Sequence, residues 1–313
     1  MSVSRGEMGP SLTQEILSHL GLANKTAAWG TLGTLRTFLS FSVDKDVQKL
    51  LRAITGQGVD HSAIIEVLTN RSREQRQLLS RAFWERTQQD LLKSLQAALS
   101  GNLERIVVAL LQPLAQSDAQ ELRTALKISR WKLRRTSSLG PVASCRTCSW
   151  PWPSRESYCG ITDYNLAEQD VKVLQQGEGP GKEDPWVQIF SQRNPEHLRR
   201  VFDLYQWHTG QALEEAVRDR FHGDAQVALL TLASVVRNTP LYFADKLHQG
   251  LQETEPNYQV LTRILISRSE IDLLSIRAEF KKKFGKSLYS SLQDTVKGDC
   301  QQALLALCRA EDL

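Results

Sequence analysis

No stretch of this 313-residue chain runs to the roughly 18 uncharged apolar residues that a membrane-spanning helix needs. The opening Met1-Ser2-Val3-Ser4-Arg5-Gly6-Glu7 lacks the apolar core of a secretory signal, so the chain reads as cytosolic. Cysteine is scarce: of five, Cys300 and Cys308 fall in a helical pattern and Cys145, Cys148 and Cys159 crowd one segment, which excludes a disulfide framework. The six histidines are scattered, with no paired nucleophile and no metal-ligand spacing, so nothing points to an enzyme. Charge of one sign is also missing. Lys and Arg number 39 against 35 Asp and Glu, a mild basic bias that favours anionic surfaces without demanding nucleic acid.

What is present is repetition. "VLTNRSREQRQLLSRAFWERTQQDLLKSL" (67–95) recurs as "IFSQRNPEHLRRVFDLYQWHTGQALEEAV" (189–217) and as "ILISRSEIDLLSIRAEFKKKFGKSLYSSL" (264–292). Each copy holds an apolar run, an Arg, an apolar helix with three-to-four spacing, a turn and a further apolar helix, so the modules are all-helical. Ser72 with Gln75, and Ser269 with Asp272, stand at capping-box spacing or its acidic variant and predict helix starts.

The shared arginines measure the period. Arg193 and Arg268 are 75 residues apart, but Arg71 and Arg193 are 122 apart, too long for one period and too short for two. A further module therefore lies between them and has lost part of its length. Its opening persists as "SDAQELRTALK" (117–127), which matches "DVQKLLRAIT" (46–55). Residues 128–160 then show no helical periodicity and carry three of the seven tryptophans. Sliding the codons of "TCSWPWP" (147–153) back by one base permits Asp-Leu-Leu-Leu-Ala-Leu-Ala, similar to "QALLALC" (302–308) near the chain's end. Trp131 to about Ser154 thus reads as an out-of-frame remnant of the second module. Loss of that module is expected to uncover apolar faces of its neighbours.

With these segments, and above all "RSREQRQ" and "SRSEIDLLSIRAEFKKKFGKSLYSSL", the chain resembles the annexin family over residues 43–127 and 161–313. The resemblance implies an all-α array of five-helix repeats forming a curved disk whose convex face meets phospholipid, here with an incomplete second repeat. The expected divisions are a tail (1–42), repeats at 43–113, 161–237 and 238–313, and an aberrant segment at 114–160. In the family, carbonyls of the opening loop and a carboxylate three residues before a later glycine bind calcium, a cation that takes six to eight oxygens. Here the carbonyls of Ile54, Gly56 and Gly58 are available, but the acidic position is Ala98 before Gly101, Arg220 before Gly223 and Thr295 before Gly298. In the fourth repeat Glu253 and Glu255 align with the loop glycines, and Asp294 is one residue away from the acidic position. The expectation is an acidic-phospholipid-binding protein, peripheral at a membrane, with calcium binding weak or absent and no nucleic-acid partner. A cytosolic protein scaffold is the alternative.

Blander readings accompany these. Gly56-Gln57-Gly58 read alone is an interhelical turn or a cradle for a phosphate or a cation. "GEGPGK" (177–182) is followed by Glu183 where a phosphate loop needs Ser or Thr. Cys145-x-x-Cys148 lacks the second pair of a zinc site, and Lys281-Lys282-Lys283 reads as a solvated helix face or a lipid contact. In the tail, "SLTQEILSHLGLA" (11–23) places Ile16, Leu17 and Leu20 on one helical face. This resembles the annexin tails that insert into the groove of a small EF-hand dimer. A helix docked on its own core has the same spacing.

Overall fold

The computed structural model describes residues 33–35, 40–56, 58–112, 163–176, 184–253 and 255–310. The tail anchors Ile16, Leu17 and Leu20, the aberrant segment 128–160, and the glycines of 177–182 lie outside the described residues.

Among the described residues there are fifteen helices and no strand. The first repeat holds α1 (Val43–Thr55), α2 (His61–Thr69), α3 (Arg73–Thr87), α4 (Leu91–Ala98) and α5 (Gly101–Leu111). The third holds α6 (Tyr164–Gln176), α7 (Pro185–Gln192), α8 (Pro195–Thr209), α9 (Leu213–Arg220) and α10 (Gly223–Arg237). The fourth holds α11 (Thr239–Gln252), α12 (Tyr258–Arg268), α13 (Leu273–Phe284), α14 (Leu288–Thr295) and α15 (Asp299–Cys308). Each helix buries a stripe at three-to-four spacing, such as Leu273, Ile276 and Phe280 on α13 or Leu198, Val201 and Phe202 on α8. Caps define the starts: Asp60, Asp90, Asn194, Asn257 and Ser287 each accept a hydrogen bond from a backbone N–H of the following first turn.

The predicted capping box at Ser72 is present, with Ser72 and Gln75 bonded in both directions. The one predicted at Ser269 is not. Ser269 closes α12 with its hydroxyl donating to the Ile266 carbonyl, and Asp272 makes no cap because Arg268 holds its carboxylate with Nε at 2.7 Å and with Nη2. The cause lies one helix back. Arg71 pairs with Asp46 of α1 and Arg193 with Asp170 of α6, whereas Arg268 lies over the ring of Phe243 on α11 and takes its carboxylate locally.

The described residues form two compact units that divide within α11, between Tyr242 and Phe243. One unit joins the first and fourth repeats through a single core. In it α2 packs on α15, α12 on α5, and α5 on α15, so each repeat offers its second and fifth helices to the other reciprocally. Polar ties reinforce the contact. Arg76, 1% exposed, donates to the Leu68 carbonyl and to Glu270, and burial pushes its guanidinium down to about 10 despite that carboxylate. Residues 33–35 are strapped on as well, with Leu35 N–H donating to Ser269 O and Thr34 to Leu307 O. A Cβ at Gly33 would come within 2.6 Å of Ser269 O, which makes glycine obligatory at that approach.

The other unit contains the third repeat, with its own core around Trp186, Phe190, Phe202, Tyr205 and Val217. Trp186 stacks on Phe190 and meets Tyr205 and Phe221 edge-on. Asp170 is buried between Arg193 and His197, which it meets at 2.7 and 2.9 Å.

Candidate functional site

In each repeat the opening loop follows the first helix and the acidic position ends the fourth. The opening loops of the first and fourth repeats are closed by the same bond, Asp60 N–H to Ala53 O at 3.0 Å and Asn257 N–H to Gly250 O at 2.9 Å. The side chains of Asp60 and Asn257 then cap α2 and α12. The glycine that follows each acidic position has positive φ: 68° at Gly101, 64° at Gly223 and 73° at Gly298. That shared conformation turns the chain sharply into the fifth helix.

In the first repeat Gly56 caps the C-terminus of α1 with φ −68° and ψ −174°, an extended conformation open to any residue. Neither Gly56 nor Gly58 has positive φ, so neither is held to glycine by a left-handed backbone. A Cβ at Gly56 would crowd Arg52 O at 3.0 Å, and one at Gly58 would meet nothing. Ala98 is the last residue of α4, half-buried and with no side-chain oxygen to offer.

The third repeat puts a cation in the acidic position and gives it a partner. Arg220, the last residue of α9, reaches Asp184, the residue before α7, at 3.3 Å. Asp184 is also the cap of α7, accepting from Trp186 N–H at 2.9 Å, so its carboxylate serves both groups. The guanidinium further sits 6.0 Å from the Trp186 ring and 5.8 Å from that of Phe221. In the fourth repeat Thr295 ends α14. The neighbouring Asp294 is held by Lys286, while Glu253 accepts from Asn257 Nδ2 at 3.3 and 3.4 Å. Among the described residues, no three His, Cys, Asp or Glu side chains gather as a metal-binding group.

A feature the sequence reading missed lies beside the first loop. A cleft of about 510 Å³ between α1 and α2 is lined by Lys45, Gln48, Lys49, Arg52, Ala53, Asp60 and Ala63. Lys45, Lys49 and Arg52 recur at i, i+4 and i+7, so they share one face of α1, a signal legible in the sequence as a basic helical stripe. Lys49 is paired with Glu66 at 2.7 Å, and Asp60 spends one oxygen on its cap. The run Lys281–Lys283 is exposed, with Lys283 bridged to Asp245.

Comparison with known proteins bears on this arrangement. The sequence model of a family described as Annexin matches residues 45–110, 169–232 and 242–307. Annexin A9 of Homo sapiens is 69% identical over 345 aligned positions and that of Bos taurus 68%, with the whole of each chain covered. Since 345 positions are aligned and this chain has 313 residues, at least 32 positions have no residue here. The solved structure of annexin III superposes with a TM-score of 0.77 at 28% identity, covering 90% of this chain and 98% of that one.

Proposed function

On the premise that this chain belongs to the annexin family, in its A9 type, we propose that it binds acidic phospholipid, phosphatidylserine included, with little or no dependence on calcium. The family footing supports a peripheral membrane-binding protein rather than a catalyst. No described helix is long and apolar enough to cross a membrane. The proposal extends to the boundaries of the repeats at 43–113, 161–237 and 238–313, flanked by a tail (1–42) and an aberrant segment (114–160).

The observation that carries the calcium-independent reading is the Arg220–Asp184 pair. Calcium requires carboxylate oxygens to offset its dehydration. At the third-repeat position a guanidinium stands where the carboxylate would, already bound to the nearest acid. Ala98 and Thr295 remove the carboxylate from the other two sites, leaving the carbonyls of Ile54, Gly56 and Gly58 with lipid phosphate as the remaining oxygens. Attraction to the membrane then rests on cations, among them Lys45, Lys49 and Arg52 in the α1–α2 cleft and the exposed run Lys281–Lys283. Each basic group near an anionic surface contributes about 1 kcal/mol.

Ala98→Glu tests this reading, because it supplies one carboxylate beside an intact loop. The expected outcome is a gain of calcium-dependent pelleting with phosphatidylserine vesicles that the parent chain lacks. No gain would show that the loop at Ile54, Gly56 and Gly58 is a plain turn.

A further inference from the structure

The third repeat exposes the face that the first and fourth repeats bury against each other. Aligned on Arg71, Arg193 and Arg268, the second helices place Ile65, Val187 and Thr262 at one position. Ile65 is 5% and Thr262 8% exposed, but Val187 is 42% exposed. Aligned on Gly101, Gly223 and Gly298, the fifth helices tell the same story. Leu103 and Cys300 are buried where Ala225 is exposed, Ile106 and Ala303 are buried where Ala228 is exposed, and Leu110 and Leu307 are buried where Leu232 is only half-covered. α10 buries Leu229, Ala233 and Val236 in its own repeat, packs Leu232 partly on that core and leaves Ala225 and Ala228 exposed.

We propose that this face, formed by α7 and α10, is the contact through which two copies of the chain form an isologous dimer, third repeat against third repeat. The first and fourth repeats supply the template. There the same face pairs reciprocally, the second helix of each on the fifth helix of the other, so the surface is complementary to another copy of its own architecture. Among the described residues no further repeat is present to fill it. The family matches only three segments, two of which occupy each other. The third repeat of a second molecule carries the same open stripe, and residues as small as Ala225 and Ala228 let two helices approach closely. No charge sits on the stripe at Val187, Ala225, Ala228 or Leu232 to oppose the contact.

The full chain, examined by light scattering behind a sizing column over a concentration series, is expected to pass from 35.3 kDa to twice that mass. Ala228→Glu is expected to weaken the dimer at least tenfold, since two carboxylates would be buried facing each other. Hydrogen exchange on the unmodified chain guards against a variant that does not fold: amides of α7 and α10 should gain protection as concentration rises. A 35.3 kDa species at every concentration, or protection of α7 and α10 that is independent of concentration, overturns the proposal and leaves the face covered by the chain's own residues 113–162. A folded Ala228→Glu chain that dimerises unchanged overturns it equally.

Discussion

At the scale of single residues, equivalent positions solve one local problem with different chemistry. The arginine before the third helix takes Asp46, Asp170 or Asp272, according to whether the first helix offers an acid at the position that faces it. Three residues into the third helix, Gln75 closes a capping box and His197 bonds to Asp170, while the equivalent acid in the fourth repeat, Asp272, is bound by Arg268. The end of the third helix offers a cleaner comparison. Gly210 and Gly285 adopt φ 71°, whereas the first repeat has Gln88 at φ 55°. A side chain in that left-handed conformation costs roughly 1–2 kcal/mol that glycine avoids, partly offset by glycine's greater freedom when unfolded. Gln88→Gly is therefore expected to stabilise the chain by about 1 kcal/mol, read as a higher urea midpoint at unchanged slope. A lower midpoint would contradict that account of the cap.

At the scale of helices, most of what the structure contains was legible. Apolar stripes at three-to-four spacing and the shared arginines marked the modules, because in a repeat every helix must bury the same side. The misplaced cap at Ser269 shows the limit. Capping-box spacing records two residues, but Asp272 was committed to Arg268 by the absence of an acid at Phe243, a tertiary fact that local spacing does not hold. Gly56 and Gly58 were read as a turn or a cradle; of the two only Gly56 is crowded, by Arg52 O, and the loop is closed by the Asp60 to Ala53 bond. The helical spacing of the tail sequence belongs to this scale too. Ile16 and Leu17 are adjacent aliphatics on one face, the kind of anchor that enters a groove on a partner. We propose that this segment enters the groove of a small EF-hand dimer, so that replacing both with Ala abolishes the binding in calorimetry. Unchanged binding, or none by the parent tail, would assign the helix to the chain's own core.

At the scale of the molecule, the account rests on three matched repeats and on the guanidinium that Arg220 places at the end of α9. The basic stripe of α1 was visible in the sequence but not as a cleft, because only the packing of α2 against α1 gives it a second wall. Arg220 was visible as a lost carboxylate. Its bond to Asp184 was not, since it depends on the fourth helix ending opposite the second helix's cap. Both features lead to one expectation, that lipid binding is driven by exposed cations and not by calcium. The direct measurement is pelleting of the purified chain with phosphatidylserine vesicles across calcium and salt titrations. Binding that is unchanged by calcium and declines as salt shortens the reach of the cations is the predicted result. Recruitment that appears only at micromolar calcium and resists salt would contradict the account.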